Sequence, residues 1–105
     1  DVPATARVAA VMAAKNTPSF IPLCHPLPIE HVDVEFATES SGVIRVETTV
    51  SAHARTGVEM EALTACAAAA LTIYDMCKML ERGIEISGLR LLSKSGGKTG
   101  EYIAE

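Results

Sequence analysis

The 105-residue chain has no tryptophan and only two tyrosines and two phenylalanines, an aromatic share of 4%. Its core must come from Ala, Val, Ile, Leu and Met, which favours close approach of helix to helix or helix to sheet. Positive charge is not in excess: nine Lys and Arg stand against thirteen Asp and Glu, a net charge of −4. That balance argues against a nucleic-acid-binding module, whose footprint is a basic face. No run of about 18 apolar residues free of polar breaks reads as a membrane span, and no signal peptide is apparent. There is no CxxC or HExxH spacing, so the chain offers no metal-ligand motif. Three cysteines, an odd number without a secretory signal, point to reduced thiols and a cytoplasmic protein. An initiator Met is missing too, and Asp1-Val2-Pro3-Ala4 reads as the start of a helix, so sequence upstream of residue 1 is expected.

What the chain has in plenty is apolar residues, 49% of the total. The longest span without Gly or Pro, residues 58–82, reads as one helix of strong helix formers. Glu59 and Glu61 in its first turn and Lys78 and Arg82 near its end suit the helix dipole, and Gly83 follows as a C-terminal cap. It is apolar nearly all round, as in a helix buried on most faces. One stripe, stepping through Glu61, Thr64, Ala68, Leu71, Asp75, Lys78 and Arg82, carries ionisable groups. Buried charge is costly unless paired or used, so chemistry is expected there.

Ahead of that helix, Asp1 can act as N-cap with Pro3 in the first turn of a helix running to Lys15, which Asn16-Thr17-Pro18-Ser19 breaks. Pro22, Pro26 and Pro28 make residues 20–28 a stiff, extended segment. Residues 29–37 alternate, with Val32, Val34 and Phe36 on one face. After a turn at 39–42, residues 43–52 alternate again, with Ile44, Val46, Thr48 and Val50 facing in, so the two form an antiparallel hairpin. Residues 84–93 read as a third strand with a bulge at Gly88. The order α-β-β-α-β, with one strand placed upstream of residue 1, gives an α+β, ferredoxin-like fold: an antiparallel sheet with two helices on one face. Residues 1–105 are then a single, N-terminally incomplete domain.

Cys24 and His25 are neighbours in that stiff segment and should point to opposite sides, so they cannot serve each other as nucleophile and base. A structural histidine is the bland reading of His25; the flanking prolines hold its imidazole in place, which suits a site. Cys66 and Cys77 return to nearly the same helix face but roughly 16 Å apart, too far for a disulfide; both read as core thiols. Gly97-Lys98-Thr99 resembles the end of a P-loop, but Leu92 stands where the motif needs glycine. What remains, Lys94 to Thr99, supplies cations, hydroxyls and backbone N–H groups suited to a polyphosphate, or is merely a tail. Asp75 and Lys78 are spaced to touch: an ordinary salt bridge if exposed, a proton-transferring pair if partly buried. Glu59 and Glu61, in the bland reading, are solvated first-turn acids. Glu61 and Asp75 lie roughly 21 Å apart along the helix axis, so either one is structural or sites are assembled between subunits.

Five blocks, residues 1–7 (DVPATAR), 21–27 (IPLCHPL), 56–65 (TGVEMEALTA), 70–78 (ALTIYDMCK) and 94–98 (KSGGK), together resemble molybdenum cofactor biosynthesis protein C, the cyclic pyranopterin monophosphate synthase family. The resemblance spans essentially the whole chain, in the right order. It implies a lyase that converts 3',8-cyclo-7,8-dihydro-GTP, made by a radical S-adenosylmethionine GTP cyclase, into cyclic pyranopterin monophosphate and diphosphate. It implies a ferredoxin-like subunit in a homohexamer, a trimer of dimers, with sites at subunit contacts. Carried onto this sequence, Leu23, Cys24, His25, Met60 and Glu61 match substrate-binding stretches, Asp75 the catalytic acid/base, and Lys78 and Lys94 catalytic or phosphate-contacting lysines; Lys98 joins them as a phosphate contact. The family's Lys-Gly ahead of Asp1, whose lysine belongs to the site, is not in this sequence, nor is its leading strand. No cofactor is expected beyond Mg²⁺ accompanying the substrate phosphates, which stays open, and neither nucleic acid nor membrane is a partner. The alternative is a non-catalytic, nucleotide-binding ferredoxin-like module or an inactive paralogue.

Overall fold

A computed structural model describes residues 1–53, 57–96 and 100–105. Helix α1 (Val2–Lys15) begins as the sequence implies. The Asp1 carboxylate accepts the Ala4 N–H at 3.3 Å, and Pro3 sits where a missing N–H is harmless. It ends at Asn16, and a 3₁₀ turn (Thr17–Ser19) follows. There the buried Thr17 hydroxyl donates to the carbonyls of Ala13 and Ala14, at 2.9 and 3.1 Å, helping to satisfy the acceptors of the last turn.

Residues 20–23 depart from the extended expectation. The Cys24 N–H donates to the Ile21 carbonyl at 3.0 Å, closing a turn with Pro22 at its second position. Proline favours that position because its fixed φ matches the turn. Strands β1 (Ile29–Ser40) and β2 (Val43–Ala52) then pair antiparallel, with Val32 opposite Val50, Val34 opposite Thr48 and Phe36 opposite Val46. The alternation therefore points Val32, Val34, Phe36, Val46, Thr48 and Val50 inward as expected, whereas Ile44, near the hairpin turn, is 57% exposed. Gly42 takes φ +78 in the connection, a conformation that L side chains resist.

Helix α2 (Glu59–Cys77) lies beside α1, and both cover the same face of the hairpin: α1 packs on β1 and α2 on β2. The core is Ala6, Ala10, Ala14, Val34, Ala65 and Ala69, with Val32, Phe36, Val46, Val50 and Ile73 packed around it. Alanines four residues apart on both helices make the seam, which lets two backbones approach closely. Polar groups tie the layers: Thr48 Oγ1 donates to the Ala62 carbonyl at 2.8 Å, and Arg7 Nε to the Val34 carbonyl at 3.3 Å with its guanidinium 5.0 Å from the Phe36 ring centre. Because the seam has no spare volume, Ala65→Leu is expected to destabilise the fold by about 1–3 kcal/mol, measured by urea unfolding.

Three expectations are corrected. Helix α2 stops at Cys77 with Lys78 as C-cap, not at Arg82, and Gly83 does not cap it. It is not buried on most faces either: only Glu61, Ala65 and Ala69 are, and Leu71, Tyr74 and Met76 are exposed. Residues 84–92 form no strand. The only further pairing among the described residues is the short β3 (Ser93–Lys94) with β4 (Tyr102–Ile103). A strand needs a partner's edge, and among the described residues no ladder forms with residues 84–92. The observed architecture is thus α+β, with two helices over a two-stranded antiparallel hairpin. By length and composition alone α2 could also cross a membrane; here its alanine stripe is core.

Candidate active site

The first turn of α2 gathers four of the chain's reactive groups. Glu61 shares the stripe of Ala65 and Ala69 and is only 2% exposed. Its Oε2 accepts a hydrogen bond from Cys24 Sγ at 3.4 Å. The Pro22 turn is what brings Cys24 there. Burial pushes the Cys24 thiol up, and the hydrogen bond to Glu61 and the negative charge of Glu61 and Glu59 push it further. A thiol so placed stays protonated at neutral pH: it is a donor to Glu61, not a thiolate nucleophile. In the window between the ordinary thiol range and the raised value, the folded chain holds a proton that the unfolded chain has lost, so stability falls as pH rises through it. Alkylation of Cys24 by iodoacetamide, followed by peptide mass spectrometry, is expected to be slow at pH 8 and faster in Glu61→Gln, whose amide lacks the charge.

Glu59 faces the other way. Its Oε2 is buried and, among the described residues, receives no hydrogen bond, but Lys94 Nζ stands 3.4 Å from it. Lys94 is carried by β3, and its side chain is mostly buried at 16% exposure. Both line a cavity of about 500 Å³ between the open edge of β2, the start of α2 and residues 90–95. Cys66 also borders it and donates to the Val46 carbonyl at 3.5 Å. Burial raises that thiol as well.

At the far end of α2, Lys78 Nζ and Asp75 Oδ1 are 2.5 Å apart, with side chains 54% and 71% exposed. The hydrogen bond and charge of Asp75 hold the Lys78 ammonium above the usual lysine range. This pair is roughly 21 Å along the axis from Glu61.

Of the residues singled out in the sequence, the structure joins Cys24 to Glu61 and Asp75 to Lys78, and sets Lys94 on Glu59. Leu23, at 92% exposure, and His25 face solvent, and Met60 is half-buried. Lys98 lies outside the described residues. The supposed single polar stripe divides into a buried end and an exposed one. Glu59 is the group that sequence reasoning passed over. The solvated-acid reading fails for Glu61 and for one oxygen of Glu59, whose side chain is otherwise 34% exposed, because nothing in the local pattern announces that Cys24 and Lys94 fold onto them.

Fold and site together define a small α+β protein with acid–base and cationic groups at both ends of one helix. Residues 1–97 match the model of the MoaC family. The chain is 52% identical over 104 residues, 98% of its length, to a cyclic pyranopterin monophosphate synthase of a Roseiflexus species. It is 54% identical over 97% of its length to the Nostoc protein of that name, and 56% over all of it to that of Geobacter metallireducens. These matches cover 66%, 61% and 66% of the relatives, so the chain spans about two thirds of their length. The chain belongs to the MoaC family.

Proposed function

We propose that this chain performs, in molybdenum cofactor biosynthesis, the reaction for which its relatives are named: the rearrangement of 3',8-cyclo-7,8-dihydro-GTP to cyclic pyranopterin monophosphate with release of diphosphate. The observation that carries the reading is identity above half across nearly the whole chain to synthases of that name. The geometry supports it chemically. Opening the purine ring and reclosing it as a pterin needs groups that give and take protons. Asp75 with Lys78 is one such pair and Glu61 with Cys24 another, with His25 on the same segment as Cys24. Closing the cyclic phosphate displaces diphosphate from the inner phosphorus, and the charge that develops calls for cations: Lys94, Lys78 and Lys98. Leu23 and Met60 frame the substrate beside these groups.

The distance between the two ends of α2 supports sites completed by a second subunit, in a homohexamer built as a trimer of dimers. The open edge of β2 facing residues 90–95 across the cavity supports the ferredoxin-like completion, with one upstream strand seated between them. A radical S-adenosylmethionine GTP cyclase supplies the substrate in the cytoplasm. No electron transfer is needed, and any Mg²⁺ enters with the substrate phosphates rather than as a resident ion.

The test is direct. The full-length protein, given the cyclised dihydro-GTP, is expected to release diphosphate and yield a pterin that fluoresces after oxidation. Binding of the nucleotide with no diphosphate released would make it an inactive member of the family.

A further inference from the structure

Gly57 stands two residues ahead of Glu59, just before α2, with its backbone against the inner side of that carboxylate. A Cβ built on it would sit 2.6 Å from Glu59 Oε2, 3.4 Å from Cδ and 3.5 Å from Oε1, and these are its three nearest atoms. Gly42, Gly88, Gly96 and Gly100 take left-handed φ angles, but Gly57 is not among them. Backbone conformation therefore does not demand a glycine here; the carboxylate does. The same Oε2 is the buried oxygen that lacks a hydrogen bond among the described residues and faces Lys94 at 3.4 Å.

We propose that Gly57 is a positioning residue for the Glu59–Lys94 pair. Its missing side chain leaves the space in which the carboxylate folds back, so Oε2 holds the Lys94 ammonium at the wall of the cavity. The inference rests on the synthase reading only for what the pair does to turnover; the geometry it describes does not depend on it. Any side chain at 57 displaces the end of a flexible glutamate rather than backbone, so the carboxylate swings away and the fold persists. A Gly→Ala change at an unstrained position also narrows the unfolded ensemble, which favours the folded state.

In the full-length protein, Gly57→Ala is expected to leave the thermal transition unchanged or slightly raised while kcat/KM falls ~10- to 100-fold, the scale of a misplaced catalytic neighbour. In a Glu59→Ala background the same substitution is expected to change kcat/KM by less than about twofold, because the group it displaces is gone. An equal loss in both backgrounds would make Gly57 a matter of local chain shape and overturn the proposal, as would parental activity in Gly57→Ala. A crystal structure of Gly57→Ala decides the geometry without an assay. Glu59 is expected out of ion-pair range of Lys94, and an unmoved carboxylate sinks the idea. Should the parent protein release no diphosphate, the synthase reading fails while that structure still judges this one.

Discussion

Replacing Asp75 by Asn is expected to lower kcat by ~10²- to 10⁴-fold, the usual worth of a positioned general acid or base, without moving the thermal transition. The side chain is 71% exposed and is hydrogen-bonded to Lys78, so an isosteric amide disturbs little packing. What it removes is the proton acceptor and the charge that keeps Lys78 high. A lysine raised by its partner is cationic at every pH below its folded value. The lysine's contribution to stability is accordingly present at neutral pH and lost as pH rises through the alkaline range. In Asp75→Asn that cause is gone, so the alkaline limb of the residual pH–rate profile is expected to shift to lower pH. Full turnover by a folded Asp75→Asn protein would remove Asp75 from the mechanism.

The parts of this fold that are local could be read in the sequence. Asp1 and Pro3 announce the start of α1, and alternation at Val32, Val34 and Phe36 gives the inward face of the hairpin. The parts that failed are non-local. Residues 84–92 have the composition of a strand, but a strand is an agreement between two edges, and composition describes only one. The end of α2 was overrun because Lys78 to Arg82 are good helix formers. Propensity is a weak prior, and the chain turns at Lys78 regardless. The polar stripe misled for a geometric reason. Fourteen residues bring Asp75 back to nearly the azimuth of Glu61, yet the alanine seam with α1 reaches only to Ala69. Azimuth says which way a side chain points, and only the neighbouring helix says whether anything is there. Glu61 is core and Asp75 is in water, on almost the same line. The Glu59–Lys94 pair was invisible for the same reason, since the two residues are 35 positions apart in sequence.

That overhang of α2 leads to the second large effect. If the two ends of α2 serve one site, they must belong to different subunits, because one helix cannot bring Glu61 and Asp75 within reach of a single small substrate. Glu61→Gln and Asp75→Asn proteins, each nearly inactive alone, would then rescue one another when assembled together. A site that draws its glutamate from one subunit and its aspartate from the other finds both native groups in about a quarter of cases after random mixing. Co-expressed from one vector and purified as the mixed oligomer, the two variants are therefore expected to regain about a quarter of parental turnover, against a background at least tenfold lower for either alone. Glutamine at 61 keeps the shape of the buried side chain and still accepts the Cys24 thiol, so the comparison does not turn on folding. Mixed oligomers no more active than the single variants would place both groups' work within one chain, or remove one of them from the chemistry. The exposed Leu71, Tyr74 and Met76 on the overhanging half of α2 fit rescue between subunits. An apolar surface of that kind beside an ion pair is costly in water and ordinary beneath a second subunit.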